Sequence, residues 1–198
     1  MDKWRINAYT LEYDDSTHTY LVDGVIVPSV TQVLKELYFN ELYKYVSYET
    51  LQRASEKGTY IHEAIENYCK GNNQLRGIEE VRDFEFLMQY YGLEVMENET
   101  PVIIVDDGKP VMAGRLDLIL NSATGRAVAD IKTTSILNKS YLAYQLNLYR
   151  LGYMQSYGAE ITKLYAIHLK NGHRKLIEMP CDVALARVVI KDWRTRHE

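Results

Sequence analysis

Hydrophobic positions along the chain change their spacing near residue 93. From Leu11 to Val30 they alternate with polar ones and break at Asp23–Gly24, which predicts short strands joined by a tight turn. Helical spacing follows. Ser29, with Pro28 before it and Gln32 three residues on, has the form of a capping box opening a short helix over "TQVLKEL". A second helix is expected over residues 40–58, ending at Gly58. A third, "TYIHEAIENYCKG", repeats Ile61, Ile65 and Tyr68 on one face and stops at Gly71. A fourth spans 77–92 and closes on Gly92. From Leu93 to Thr134 the pattern reads as three strands, turning at Asp107–Gly108 and around Ala123–Gly125. A long helix ended by Gly158, a hairpin turning at "NGH" (171–173), and a last helix over 182–198 complete the chain. This order predicts an α/β fold of the α+β kind, a mixed sheet flanked by helices, in one domain over 1–198. Residues 1–92 supply a hairpin and helices, and 93–198 the sheet core.

Composition narrows this little. Of the residues 46% are hydrophobic and 25% charged, which is ordinary for a globular domain. No stretch nears the ~20 apolar residues of a membrane span, and the first residues have no apolar leader segment. Cys69 and Cys181 are far apart and form no C-x-x-C, so reduced thiols and a cytoplasmic setting are expected. The net charge of −4 argues against a protein that coats nucleic acid, but not against an enzyme with a local basic groove. The 17 tyrosines are scattered, as expected for half-buried rings with hydroxyls at water.

The chemistry gathers in "GRLDLILNSATGRAVADIKTTS", residues 114–135. A turn centred on Ala123 and Thr124 places Asp117 opposite Asp130, with Cβ atoms ~5 Å apart. Alternation puts Asp130 and Lys132 on one face and Ile131 on the other. Three charges thus converge on one face of an apolar hairpin. Two carboxylates so close repel one another, and a divalent cation would reconcile them. Mg²⁺ favours one or two carboxylates with waters and substrate phosphate, and such an ion polarises a phosphodiester and acidifies its bound water. Lys132 beside it would orient or deprotonate that water, or stabilise charge on the phosphate. A buried Asp130–Lys132 ion pair, with Asp117 exposed at a strand end, is the alternative on spacing alone.

"RLDLIL…VADIKTT" resembles the motif of the PD-(D/E)XK nuclease superfamily, Asp117 and Asp130 matching its acids and Lys132 its lysine. "GTYIH" (Gly58 to His62), "GRLD" and "QLNLY" (Gln145 to Tyr149) resemble the G-x-x-x-H, G-x-x-D and Q-x-x-x-Y motifs of its RecB-like branch, in the same order. The similarity covers roughly residues 55–150. "VPSVTQVL" extends it toward phage-type exonucleases and the mitochondrial genome maintenance exonuclease family.

The resemblance implies a restriction-endonuclease-like αβββαβ core with an N-terminal helical extension. It makes His62, Asp117 and Asp130 ligands of one or two Mg²⁺ or Mn²⁺ ions, with the backbone carbonyl of Ile131 a further ligand and Lys132, Asp117 and Asp130 catalytic. Imidazole is a softer donor than Mg²⁺ prefers, so Mn²⁺ is expected to bind well too. Glu66 shares the helix face of His62, one turn on, and Glu99 stands where many relatives carry a glutamate; both are accessory candidates. Glu66 also takes the place of the second histidine of a zincin H-E-x-x-H, which argues against a zinc protease. Gln145 and Tyr149 are expected to contact the DNA or brace the lysine, and Tyr141 and Arg115 to meet DNA, with Tyr144 and Arg126 as further candidates. Gly58 and Gly114 would allow close backbone approach. Two cysteines exclude the four-cysteine iron–sulfur cluster of some relatives within one chain, and no G-x-x-x-x-G-K-[ST] is present.

The implied activity is a metal-dependent deoxyribonuclease, an exonuclease acting on DNA ends, single-stranded ones included, in phage-type recombination, repair or replication. Its setting would be a bacterial or phage-infected cytoplasm, and its partners a further copy of the chain or a separate recombination protein. The alternatives are a structure-selective or restriction-like endonuclease and a catalytically silent nucleic-acid-binding module.

Overall fold

The structure, a computed structural model, describes residues 1–41, 44–170 and 172–197. Among these, nine strands form two sheets and there are five α-helices, which pack on the second sheet. The mixed α/β class read from the sequence is the class observed.

The first sheet is an antiparallel meander of β1 (Asp2–Ile6), β2 (Tyr9–Asp14), β3 (Thr19–Val22) and β4 (Val25–Val27). The sequence pattern missed β1. Helix α1 (Val30–Tyr38) follows, closed at its start by the expected capping box, with the Ser29 side chain and Gln32 satisfying each other's backbone N–H groups. Helix α2 runs unbroken from Tyr48 to Cys69. The two helices expected on either side of Gly58 are therefore one. Glycine in a helix interior costs only about 0.5–1 kcal/mol, and the Ser47 cap offsets part of that. Helix α3 (Glu79–Tyr91) ends on Gly92 in the left-handed conformation, as expected.

The second sheet has the order β5-β6-β7-β8-β9: β5 (Glu94–Asp106), β6 (Lys109–Ser122), β7 (Gly125–Lys132), β8 (Lys163–Lys170) and β9 (His173–Met179). Helix α4 (Lys139–Tyr157) crosses between β7 and β8, which are parallel; the other pairs are antiparallel. Helix α5 (Val183–His197) ends the chain. Leu42 and Tyr43 of the expected 40–58 helix, Asn171 of the β8–β9 turn and Glu198 of the last helix lie outside the described residues. No helix of the described residues is long and apolar enough to cross a membrane.

One core lies under α1, α4 and α5, with Leu116, Ile119 and Val128 of the sheet. A second lies under α2 and α3, with Leu118, Leu120, Ala129 and Ile131. Leu116 and Leu118 should share a face, yet they enter opposite cores. Strand β6 therefore exchanges faces at the residue between them, Asp117.

Candidate metal centre

Register brings three acidic residues into one row. Asn98 pairs with Leu118 and Thr100 with Leu116, so Glu99 lies opposite Asp117. Leu118 pairs with Ala129, so the next step sets Asp117 opposite Asp130, as the turn at Ala123–Thr124 predicts. No backbone rung forms at either place. Glu99 has a positive φ of 49°, rare for a side chain other than glycine or asparagine. Such backbone irregularities persist where the surroundings hold them, and they cluster at functional sites.

Asp117 uses its side chain where the ladder stops. Its Oδ2 accepts the Ile131 N–H at 2.7 Å. The carbonyl of the same Ile131 accepts from His62 Nε2 at 3.0 Å, from the inner half of α2. A carbonyl only accepts, so Nε2 carries the proton of that bond. His62 Nδ1 then stands 3.6 Å from Asp117 Oδ2. Two lone-pair atoms facing each other at that distance leave room for a proton or a cation between them. Ligand atoms of His62, Glu99 and Asp117 all lie within 4.8 Å of one another. Burial pushes the Glu99 carboxyl up to about 7, with the charge of Asp117 adding to it. A bound cation would offset both effects, and a set of one imidazole and two carboxylates fits Mg²⁺ or Mn²⁺.

This set differs from the one expected from sequence. Glu99, held there as accessory, takes a full place in it. Asp130 does not: its Oδ2 lies 2.5 Å from the Lys132 ammonium, facing the α4 side of the sheet. Asp117 stays close enough to act on the charges of both Asp130 and Lys132, although β6 exchanges faces at that residue. The Ile131 carbonyl orients His62 in this arrangement, as second partners of metal-binding histidines commonly do. Burial raises the Asp130 carboxyl, with Lys132 opposing and Asp117 adding to the rise. Burial disfavours the Lys132 ammonium, but the charges of Asp130 and Asp117 outweigh it and its pKa is raised. Lys132 is thus held as an ammonium beside Asp130.

The expected DNA contacts are mostly engaged inside the protein. Gln145 and Tyr149 are buried, and Gln145 Oε1 meets no donor among the described residues. Tyr149 packs on Gly114, where an added Cβ would lie 2.8 Å from its ring. Gly114 therefore serves close approach, as expected, whereas Gly58 sits mid-helix with 3.5 Å to Thr133. Tyr141 packs edge-on against Phe39, and Tyr144 stacks on Tyr38. Arg115 Nε is 2.7 Å from Glu99 Oε2, so this arginine faces a candidate ligand rather than open solvent. Glu66 pairs with Lys70 at 2.5 Å. Arg126 is exposed. Sequence reasoning missed the rank of Glu99 because a register shift between Ile104 and Val105 displaces β5 by one residue against the count from the Asp107–Gly108 turn.

No family model matches the chain, and no curated protein matches it. A solved structure, "Crystal structure of SSO0001", is 20% identical and aligns over 86% of this chain and 75% of that one, with a TM-score of 0.49. A likeness of that size carries no argument.

Proposed function

We propose that the protein is a metal-dependent deoxyribonuclease that hydrolyses phosphodiester bonds, acting on DNA ends. The observation that carries this reading is the gap between His62 Nδ1 and Asp117 Oδ2, bordered by Glu99, on a sheet row that ends beside a charged lysine. The similarity of the same segments to RecB-like motifs supports it, as does the element order α3-β5-β6-β7-α4-β8.

His62, Glu99 and Asp117 would hold the cation, with Asp130 one row position away. When bound, the ion supplies positive charge at the phosphate and lowers the pKa of a coordinated water. The chain's own residues do the remaining work. Ile131 fixes both ligands at once, its N–H holding Asp117 and its carbonyl holding the His62 tautomer. Asp130 anchors the Lys132 side chain and keeps its proton on. Lys132 then offers a preorganised positive charge to a phosphate oxygen, where charge grows as the phosphorus–oxygen bond breaks.

The test is digestion of end-labelled linear and closed circular DNA, single- and double-stranded, with Mg²⁺, Mn²⁺ or EDTA. Linear DNA should shorten from its ends with either metal, and not in EDTA. Cutting of the circle would make the protein an endonuclease. Cleavage should vanish in Lys132→Ala and in Asp117→Asn with the fold intact; full activity in either variant would overturn the assignment.

A further inference from the structure

We infer that Arg115 is a positioning residue, and that the N-terminal sheet, through Arg115, forms the outer wall of the metal centre. This rests on the metal-site part of the function proposed above.

The guanidinium of Arg115 lies between two sheets. On one side its Nε is 2.7 Å from Glu99 Oε2. On the other its Cζ lies 5.3 Å from the centre of the Tyr13 ring, on β2, within cation–π range. Tyr13 is itself held by Tyr20 of β3, ring centres 4.6 Å apart, and its hydroxyl meets His18 Nδ1 at 2.8 Å. Asp2 of β1, paired in register with Tyr13, stands 3.9 Å from Arg115 Nη1. Two strands of the small sheet thus meet one side chain of the large one, and a third braces the Tyr13 ring.

That side chain touches a single candidate ligand, and only one of its oxygens. A carboxylate that accepts from Arg115 through one oxygen still has lone pairs for a cation. Glu99 needs such a brace: its positive φ of 49° leaves it at an irregular point of β5 with no backbone rung to Asp117. A planar guanidinium fixes a carboxylate's orientation as an ammonium does not, and the Tyr13 face fixes the guanidinium. The N-terminal sheet is then part of the site's geometry.

The sign of one measurement separates this from a bare electrostatic role. A cation near a metal site repels the metal, so removing it should tighten binding if charge is all it supplies. If Arg115 orients Glu99, removing it should weaken binding, by roughly 10-fold or more as for other groups behind metal ligands. Mn²⁺ affinity would be read by calorimetry on the purified chain without DNA, for Arg115→Met, Arg115→Lys, Tyr13→Leu and Tyr13→Phe, each with its thermal melt recorded. The expected order is wild type equal to Tyr13→Phe, then Tyr13→Leu and Arg115→Lys weaker by several-fold, then Arg115→Met weakest. The Mn²⁺ concentration for half-maximal cleavage should rise in the same order, with KM for DNA unchanged. Unchanged or tighter Mn²⁺ binding in Arg115→Met would overturn the inference, as would a raised KM for DNA with normal Mn²⁺ affinity. Should Arg115→Met fail to melt cooperatively, Arg115→Lys and Tyr13→Leu decide by the same criterion. A wild type that binds no Mn²⁺ would sink the metal site itself, and one that binds it without cutting DNA would sink only the nuclease reading.

Discussion

Replacing Gly114 by alanine should unsettle the floor of the site. Gly114 is not at a positive φ, so the backbone accepts any residue there. The obstacle is the Tyr149 ring, whose Cε1 would lie 2.8 Å from the new Cβ. Tyr149 is 5% exposed and cannot swing into solvent, so the ring or β6 must shift. Overpacking of this kind costs about 1–3 kcal/mol. At this chain length each kcal/mol lowers Tm by roughly 2–4 °C. The assay is urea denaturation of Gly114→Ala, Tyr149→Leu and the double variant. Tyr149→Leu destabilises by leaving a cavity, but in its background the added methyl has room, and Gly114→Ala should then cost less than ~0.5 kcal/mol. A Gly114→Ala protein as stable as wild type, or one equally costly in both backgrounds, would refute the reasoning.

Further outcomes follow from the same contacts. Gly58→Ala, in a helix interior with 3.5 Å to its nearest neighbour, should stabilise by about 0.5–1 kcal/mol in the same assay. Asp130→Ala should destabilise by about 3 kcal/mol or more on thermal melting, because it strands the Lys132 charge, and Asp130→Ala/Lys132→Met should recover much of that. In a chelator, the folded Glu99 carboxyl at about 7, above its ordinary 4.5, adds stability that is whole below pH 4.5 and lost as pH rises through 7. Melts across that window should therefore show a decline that Glu99→Gln flattens; an equally steep decline in the variant would contradict it.

Much of the sheet was legible because its turns are marked. Asp107–Gly108 and Ala123–Gly125 set the strand ends, and the second fixed the β6–β7 register to the residue. Gly92 and Gly158 closed their helices in the left-handed conformation, as a residue lacking Cβ does cheaply. Lys132 and Asp130 were correctly placed on one face by alternation alone. What stayed hidden depends on contacts between distant parts of the chain. The one-residue shift in β5 and the face exchange at Asp117 leave no local signature, so Glu99 could not be set beside His62. The Tyr13–Arg115 contact joins β2 to β6 across about a hundred residues, and periodicity carries no information at that range. Gly58 read as a stop because propensity cannot see that the helix is held by its Ser47 cap and by Ile61 and Ile65 in the core.

A bound cation should sit where His62, Glu99 and Asp117 meet. Crystals grown with Mn²⁺ and measured at its absorption edge should give an anomalous peak bounded by His62, Glu99 and Asp117, with Arg115 still on Glu99. An absence of signal there at saturating Mn²⁺, or a peak held by other residues, would contradict it.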